Sequence, residues 1–167
     1  MAGKIIHAAG GIVVRGGARR RFAVVQRSKD GSWVLPRGKL KRNERPIAGA
    51  RREAAEETGA RVRVHEFLGA ITYRVRGRSK IVQFWRMDAA MRPTWEVTKD
   101  IVAIKWLPLA KAVRKLSYPL EKLFLSSVGR HGFLRHKRNL RPRGRARRAK
   151  PRLRQRASRR SRATKVK

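Results

Sequence analysis

The chain has 167 residues, enough for one domain of ordinary size and short of two, and it carries 46 Lys and Arg against ten Asp and Glu, a net charge of +36. The absence of cysteine excludes disulfides and thiolate metal sites, and the four scattered histidines (His7, His65, His131 and His136) do not form a zinc motif. No apolar run approaches the roughly 18 residues of a membrane-crossing helix, and the N-terminal stretch lacks a signal-peptide core, so the expected location is cytoplasmic.

Taken in chain order, Ala8–Val14 and Phe22–Arg27 are apolar, β-branched runs on either side of Arg15-Gly16-Gly17-Ala18-Arg19, which predicts two strands joined by a glycine turn. Trp33–Pro36 reads as a short extended segment, because a residue before proline is pushed towards β geometry. Arg45–Thr58, with four alanines and few β-branched residues, predicts a helix with Pro46 in its first turn and Gly59 as its C-terminal stop. Arg61–Val75 begins with strict alternation and predicts one or two strands. Arg76–Ser79 is a turn, Lys80–Met87 a returning strand and Ile101–Leu107 a further strand. Pro108–Leu116 and Pro119–Val128 read as helices, the second stopping at Gly129. The pattern predicts one α/β or α+β domain with a mixed sheet over residues 1–129.

Residues 130–167 hold eighteen of the Lys and Arg and no acid, leaving 28 basic residues against ten acidic ones in the preceding body. A segment of that composition cannot bury enough apolar surface to offset the entropy of ordering, so a disordered basic tail is expected. Charge of this size concentrates polyanions: nucleic acid, polyphosphorylated nucleotides, polyphosphate or an anionic membrane face. The tail has few apolar residues to insert into a bilayer, which favours nonspecific nucleic-acid or polyphosphate binding.

Four of the ten acids fall between Glu44 and Glu57. On the predicted helix, Glu53, Glu56 and Glu57 share an arc roughly 100° wide, with Gly49 one turn earlier. Ile47, Ala50, Ala54 and Thr58 share another face, suited to packing on the sheet. Such a cluster is either a solvated acidic face steadied by Arg51 and Arg52, or a site for a hard cation, which takes carboxylate oxygens together with substrate phosphates.

The run GKLKRNERPIAGARREAAEETGA, 23 residues from Gly38, resembles the box of the Nudix hydrolase superfamily, Gly-x5-Glu-x7-Arg-Glu-U-x-Glu-Glu-x-Gly-U with U apolar. Gly38, Glu44, Arg52, Glu53, Glu56, Glu57 and Gly59 fill its fixed positions, and Ala54 and Ala60 its U positions. A chance match in a chain of this composition is on the order of one in a million. The resemblance implies a Nudix-type α/β/α sandwich and Mg2+-dependent cleavage of a pyrophosphate linkage, with Mn2+ as an alternative metal. It implies Glu53 and Glu57 as principal metal ligands, joined by a backbone carbonyl of the Gly38 loop. Glu56 is ligand or general base, Arg52 orients a glutamate of the box, and Glu44 braces the join of loop and helix. Arg37, Lys39, Lys41 and Arg42 are candidate phosphate contacts, and Glu96 or Asp100 a candidate further acid from an opposing loop.

Trp33–Lys39 (WVLPRGK), Arg92–Glu96 (RPTWE), Trp106-Leu107-Pro108 and Tyr118 resemble the branch that cleaves dinucleoside polyphosphates and diphosphoinositol polyphosphates. Tyr73, Trp85 or Tyr118 would then stack on a base. RNA 5′-end pyrophosphate removal, nucleotide-pool cleansing and a nucleic-acid-binding protein that uses the Nudix domain as scaffold are the alternatives. The sequence leaves the oligomeric state open.

Overall fold

The computed structural model describes residues 5–131, apart from 18 and 95. β1 (Ile6–Arg15) decides the architecture. Its alternation sends Ala8, Ile12 and Val14 to one face and Ala9 and Val13 to the other, and all five are buried. A strand with no polar face needs cover on both sides.

Around it lie β2 (Arg21–Arg27), β3 (Trp33–Val34), β4 (Arg37–Lys39), β5 (Val62–Val75), β6 (Arg78–Ala89) and β7 (Ile101–Leu107) in one seven-stranded sheet. The order is β3-β2-β1-β6-β5, with β7 on β2 and β4 on β1. β1 and β6 run parallel and the remaining pairs antiparallel, so the sheet is mixed as expected. The helices are α1 (Pro46–Thr58), α2 (Leu109–Lys115) and α3 (Pro119–His131). α2 and α3 deliver Ala112, Leu116 and Leu125 onto Ile12, Val24 and Phe84 on one face. α1 lays Ala50 and Ala54 on Ala9, Val13, Ala23 and Met87 on the other. Small residues on α1 let its backbone lie close to the sheet, which fixes the height of its carboxylate face above β4. The result is a three-layer α/β/α sandwich.

Three expectations need correction or completion. Ile47 does not share the packing face: it is 42% exposed, beside Val62 and Val64 at the start of β5. Gly49 takes the buried place instead, against Leu40 and Glu44, where a Cβ would collide. Residues 62–75 form one strand, carried past two register shifts around Phe67. These irregularities end the alternation and leave Phe67 exposed at the sheet edge, edge-on to Trp85. α3 does not stop at Gly129 but continues to His131. That glycine answers a packing need, since a Cβ there would run into the side chain of Leu109 on α2. The first two residues of the proposed tail, Arg130 and His131, belong to α3 instead, and the rest of it, like Trp95 and Ala18, lies outside the described residues.

The Gly38 segment is seated against β1 by close backbone approach. The Gly11 N–H donates to the Pro36 carbonyl at 3.0 Å, and a Cβ on Gly10 would overlap that carbonyl and Arg37. Gly10→Ala is therefore expected to lower unfolding stability by about 2 kcal/mol, because backbone rather than a side-chain tip must move. Urea unfolding reads this, and an unshifted midpoint would mean that the segment slides freely.

Candidate active site

α1 begins at Pro46, whose missing N–H costs nothing in a first turn, and ends at Gly59 in the left-handed region at φ 63°. Between β4 and α1 the chain turns tightly at Lys41–Glu44. The Glu44 N–H donates to the Lys41 carbonyl (3.2 Å), and the Lys41 N–H to the Glu44 carboxylate (2.9 Å). Arg52 completes this join with a fork: Nε and Nη2 each donate to a Glu44 oxygen at 2.8 Å. The side-chain bond from Arg52, then the Lys41 N–H, holds the Glu44 carboxyl down at about 2.

The same guanidinium donates through Nη1 to Glu53 at 2.7 Å and to Glu56 at 3.3 Å. One fixed cation thus stands among three of the four carboxylates. Arg51, the other arginine expected to help, faces the opposite side beside Ile47 and Val62. Glu53 is pressed against Gly38, where any Cβ would overlap its carboxylate. Burial raises the Glu53 pKa, although Arg52 opposes the shift.

Glu57 lies deepest towards β4. Its Oε2 accepts the backbone N–H of Arg37 at 2.9 Å. Burial pushes its carboxyl up to about 8, the Arg37 N–H opposes this, and repulsion from Glu53 adds to it.

Among the described residues, no three His, Asp or Glu side chains converge into a metal-sized cage, because Arg52 stands between the carboxylates. The donor set nevertheless suits a hard divalent cation. Glu53 stands one helical turn before the adjacent pair Glu56 and Glu57, and the burial that raises the Glu57 carboxyl is a cost that a bound cation would offset.

A cleft of about 770 Å3 meets this face through Arg37 and Lys39, although none of the α1 carboxylates lines it. It is floored by Arg37 and Glu121 and walled by the β5–β6 hairpin, the β2–β3 loop and the start of α3. Arg27, Lys29, Lys39, Arg76, Arg78 and Lys80 line it, making it a basin for anions. Burial, then repulsion from Arg37 and Arg27, lowers Lys80 to about 8. Tyr73 and the 41% exposed Tyr118 also line it.

Residues 6–126 match the family model of the NUDIX domain. The chain belongs to the Nudix family. It is 34% identical over 106 residues to an 8-oxo-(d)GTP phosphatase of Mycolicibacterium smegmatis, covering 62% of this chain and 32% of that protein. It is also 34% identical over 97 residues to a MutT-like protein of Streptomyces ambofaciens, covering 58% of this chain and 60% of that one. The chain therefore spans less than two thirds of either relative. Among solved structures, a C. elegans Ap4A hydrolase binary complex superposes with a TM-score of 0.68 at 23% identity, over 78% of this chain and 98% of that one, a likeness of fold.

Within this Nudix domain the expected site residues separate. Gly38, Glu44, Arg52, Glu53, Glu56 and Glu57 come together. Lys39 and Tyr118 line the cleft. Lys41 and Arg42 are exposed outside it, and Lys41 serves Glu44 through its backbone. Arg37 lines the cleft but is only 8% exposed, its guanidinium held by Glu121. Trp85 is buried on the α1 side of the sheet and does not reach the cleft. Glu96 and Asp100 are both exposed and neither lines the cleft, though their loop is tied to α1 by the Thr98 N–H on the Glu56 carbonyl (3.2 Å). Glu121, 1% exposed, went unread in the sequence, where one acid in a leucine-rich helix looks like a solvated residue.

Proposed function

We propose that this Nudix protein is a Mg2+-dependent pyrophosphohydrolase, with Mn2+ as a substitute, acting on a soluble substrate with several consecutive phosphates. The observation that carries this reading is the junction of the basic cleft with the carboxylate helix, which meet at Arg37. Glu53 and Glu57, with the Gly38 carbonyl, would hold the cation. When bound, such a cation neutralises phosphate charge and makes water more acidic. Arg52 fixes the azimuth of Glu53 and Glu56. Glu56, whose side chain is 42% exposed, is the carboxylate best placed to take a proton from entering water. Lys39 and the cationic cleft wall orient the phosphates and stabilise the leaving group. Glu96 or Asp100 stays a proposed second acid, on a loop that the Thr98 N–H already ties to α1 at the Glu56 carbonyl.

A dinucleoside polyphosphate or a diphosphoinositol polyphosphate fits the cleft's charge, and Tyr73 and Tyr118 offer faces for a base. A nucleoside triphosphate is the second reading, favoured by the 34% identity to the 8-oxo-(d)GTP phosphatase. Phosphate-product analysis with Mg2+ separates them. The substrates are diadenosine tetraphosphate, a diphosphoinositol polyphosphate, triphosphorylated RNA, and nucleoside triphosphates including 8-oxo-dGTP. Preference for the first two supports the proposal. Preference for a triphosphate moves the second reading ahead. No turnover with tight RNA binding leaves the domain as a scaffold.

The basic segment 130–167 we read as a polyanion anchor acting in the cytoplasm. Truncation after His131 should leave small-substrate hydrolysis intact while weakening RNA binding at low salt by about tenfold or more, with a shallower salt dependence. Loss of small-substrate turnover would instead make the segment part of the site.

A further inference from the structure

We infer that Glu121 is a positioning residue for the carboxylate site, fixing the Leu35–Gly38 segment so that its backbone meets Glu57 and Glu53. The inference rests on the hydrolase reading for its kinetic consequence, though not for its geometry.

Glu121 sits in the first turn of α3, on the opposite side of the sheet from α1. A carboxylate this buried is costly unless its oxygens are matched by donors. All its matched donors belong to one three-residue stretch. Oε2 accepts the Leu35 N–H at 2.8 Å, and Oε1 accepts Arg37 Nε at 2.9 Å and Nη2 at 2.7 Å. An apolar residue would anchor α3 to the sheet equally well. The carboxylate adds direction, because bonds from backbone and from a rigid guanidinium fork together fix both the place and the rotation of the stretch.

What that stretch presents on its other side is the site itself. The Arg37 N–H points to Glu57 Oε2 at 2.9 Å, and Gly38 lies bare against the Glu53 carboxylate. Two of the three acids on α1 are therefore registered against β4 by contacts whose own register is set from α3. Glu121 also holds the Arg37 guanidinium at the cleft floor. It touches no reacting atom, and its effect runs through Arg37.

The test is Glu121→Gln in the full chain, with native circular dichroism and cooperative melting as the condition for reading it. Mn2+ alone is titrated by water-proton relaxation, amide exchange is followed at Arg37, and kcat and KM are measured on the best substrate. The expected result is Mn2+ binding weaker by about tenfold or more, kcat down by a similar factor, KM nearly unchanged and faster Arg37 exchange. A folded variant with the parent's Mn2+ affinity and Arg37 exchange overturns the inference. Glu121→Gln leaves Arg37 buried without a counter-charge, so Arg37→Gln/Glu121→Gln is read in its place if the single variant does not fold. Mn2+ binding weakened as above in that double variant supports the assignment, and parental binding overturns it. Unfolding of both overturns it too, since the pair would then be a folding element. If the parent cleaves no substrate while the variant still loosens Mn2+, the hydrolase reading fails and the positioning role stands.

Discussion

Glu57→Gln is expected to reduce turnover by about a thousandfold or more, yet to leave the metal-free protein at pH 8.5 more stable than its parent. Glutamine keeps the shape of the side chain and an oxygen for the Arg37 N–H, so the 2.9 Å bond can persist. What disappears is the negative charge, which the proposed chemistry needs and the fold does not. The folded carboxyl titrates at about 8 against an ordinary 4.5, mainly through burial. Between those values the folded chain keeps a proton that the unfolded chain has released. The stability this contributes is complete below about 4.5 and is lost as pH rises through about 8. The variant is neutral throughout and escapes that decline, gaining roughly 1–3 kcal/mol over the parent in mildly alkaline EDTA-treated buffer. Adding Mg2+ should raise the parent's melting temperature and move the variant's far less. Retained turnover would remove Glu57 from the chemistry. Equal pH–stability curves would mean that its carboxylate is solvated.

Much of this arrangement is legible in the sequence because it is local. The acids of α1 lie within five residues of one another and of Arg52, so helical geometry alone brings them to one face. The two faces of β1 and the strand limits of β7 follow from apolar patterning in the same way. The misread positions depend on contacts between distant segments. Arg37 and Glu121 are 84 residues apart, and neither carries a local mark that it will be buried. Gly129 reads as a helix stop until Leu109 stands opposite it, and Ile47 reads as core until its place beside Val62 and Val64 leaves it 42% exposed. Trp85 reads more readily as core than as a base-stacking ring, and the pairing of β6 with β1 and β5 bears out the core reading and shows which face it occupies. β4 is three residues long, too short for any periodicity, and is defined by the approach of Gly10.

The second large effect is expected from Arg52→Ala, which should lower stability by about 3 kcal/mol, because it leaves partly buried carboxylates facing one another without their shared cation. Arg52 and Glu44 are only 20% and 14% exposed at their side chains, so water replaces little of what is lost. For a domain of this size the change corresponds to a fall in melting temperature of roughly 6–12 °C. Arg52→Lys should recover only part of it, since an ammonium cannot serve Glu44 bidentately while reaching Glu53. The pH course separates this account from simple loss of packing. With Arg52 present, the Glu44 carboxyl lies at about 2, below its ordinary 4.5. The stability gained from that pairing is complete above about 4.5 and is lost as pH falls through about 2. The gap between parent and Arg52→Ala should accordingly be widest near neutrality and close as pH falls towards 2. A packing defect would keep the gap constant. Mg2+ adds a further discriminant: in the variant the freed carboxylates can be neutralised by the ion, so its melting temperature should recover by more than the parent's rises. Turnover should still fall by about a hundredfold, since an ion can replace the charge of Arg52 but not its hold on the orientation of Glu53 and Glu56.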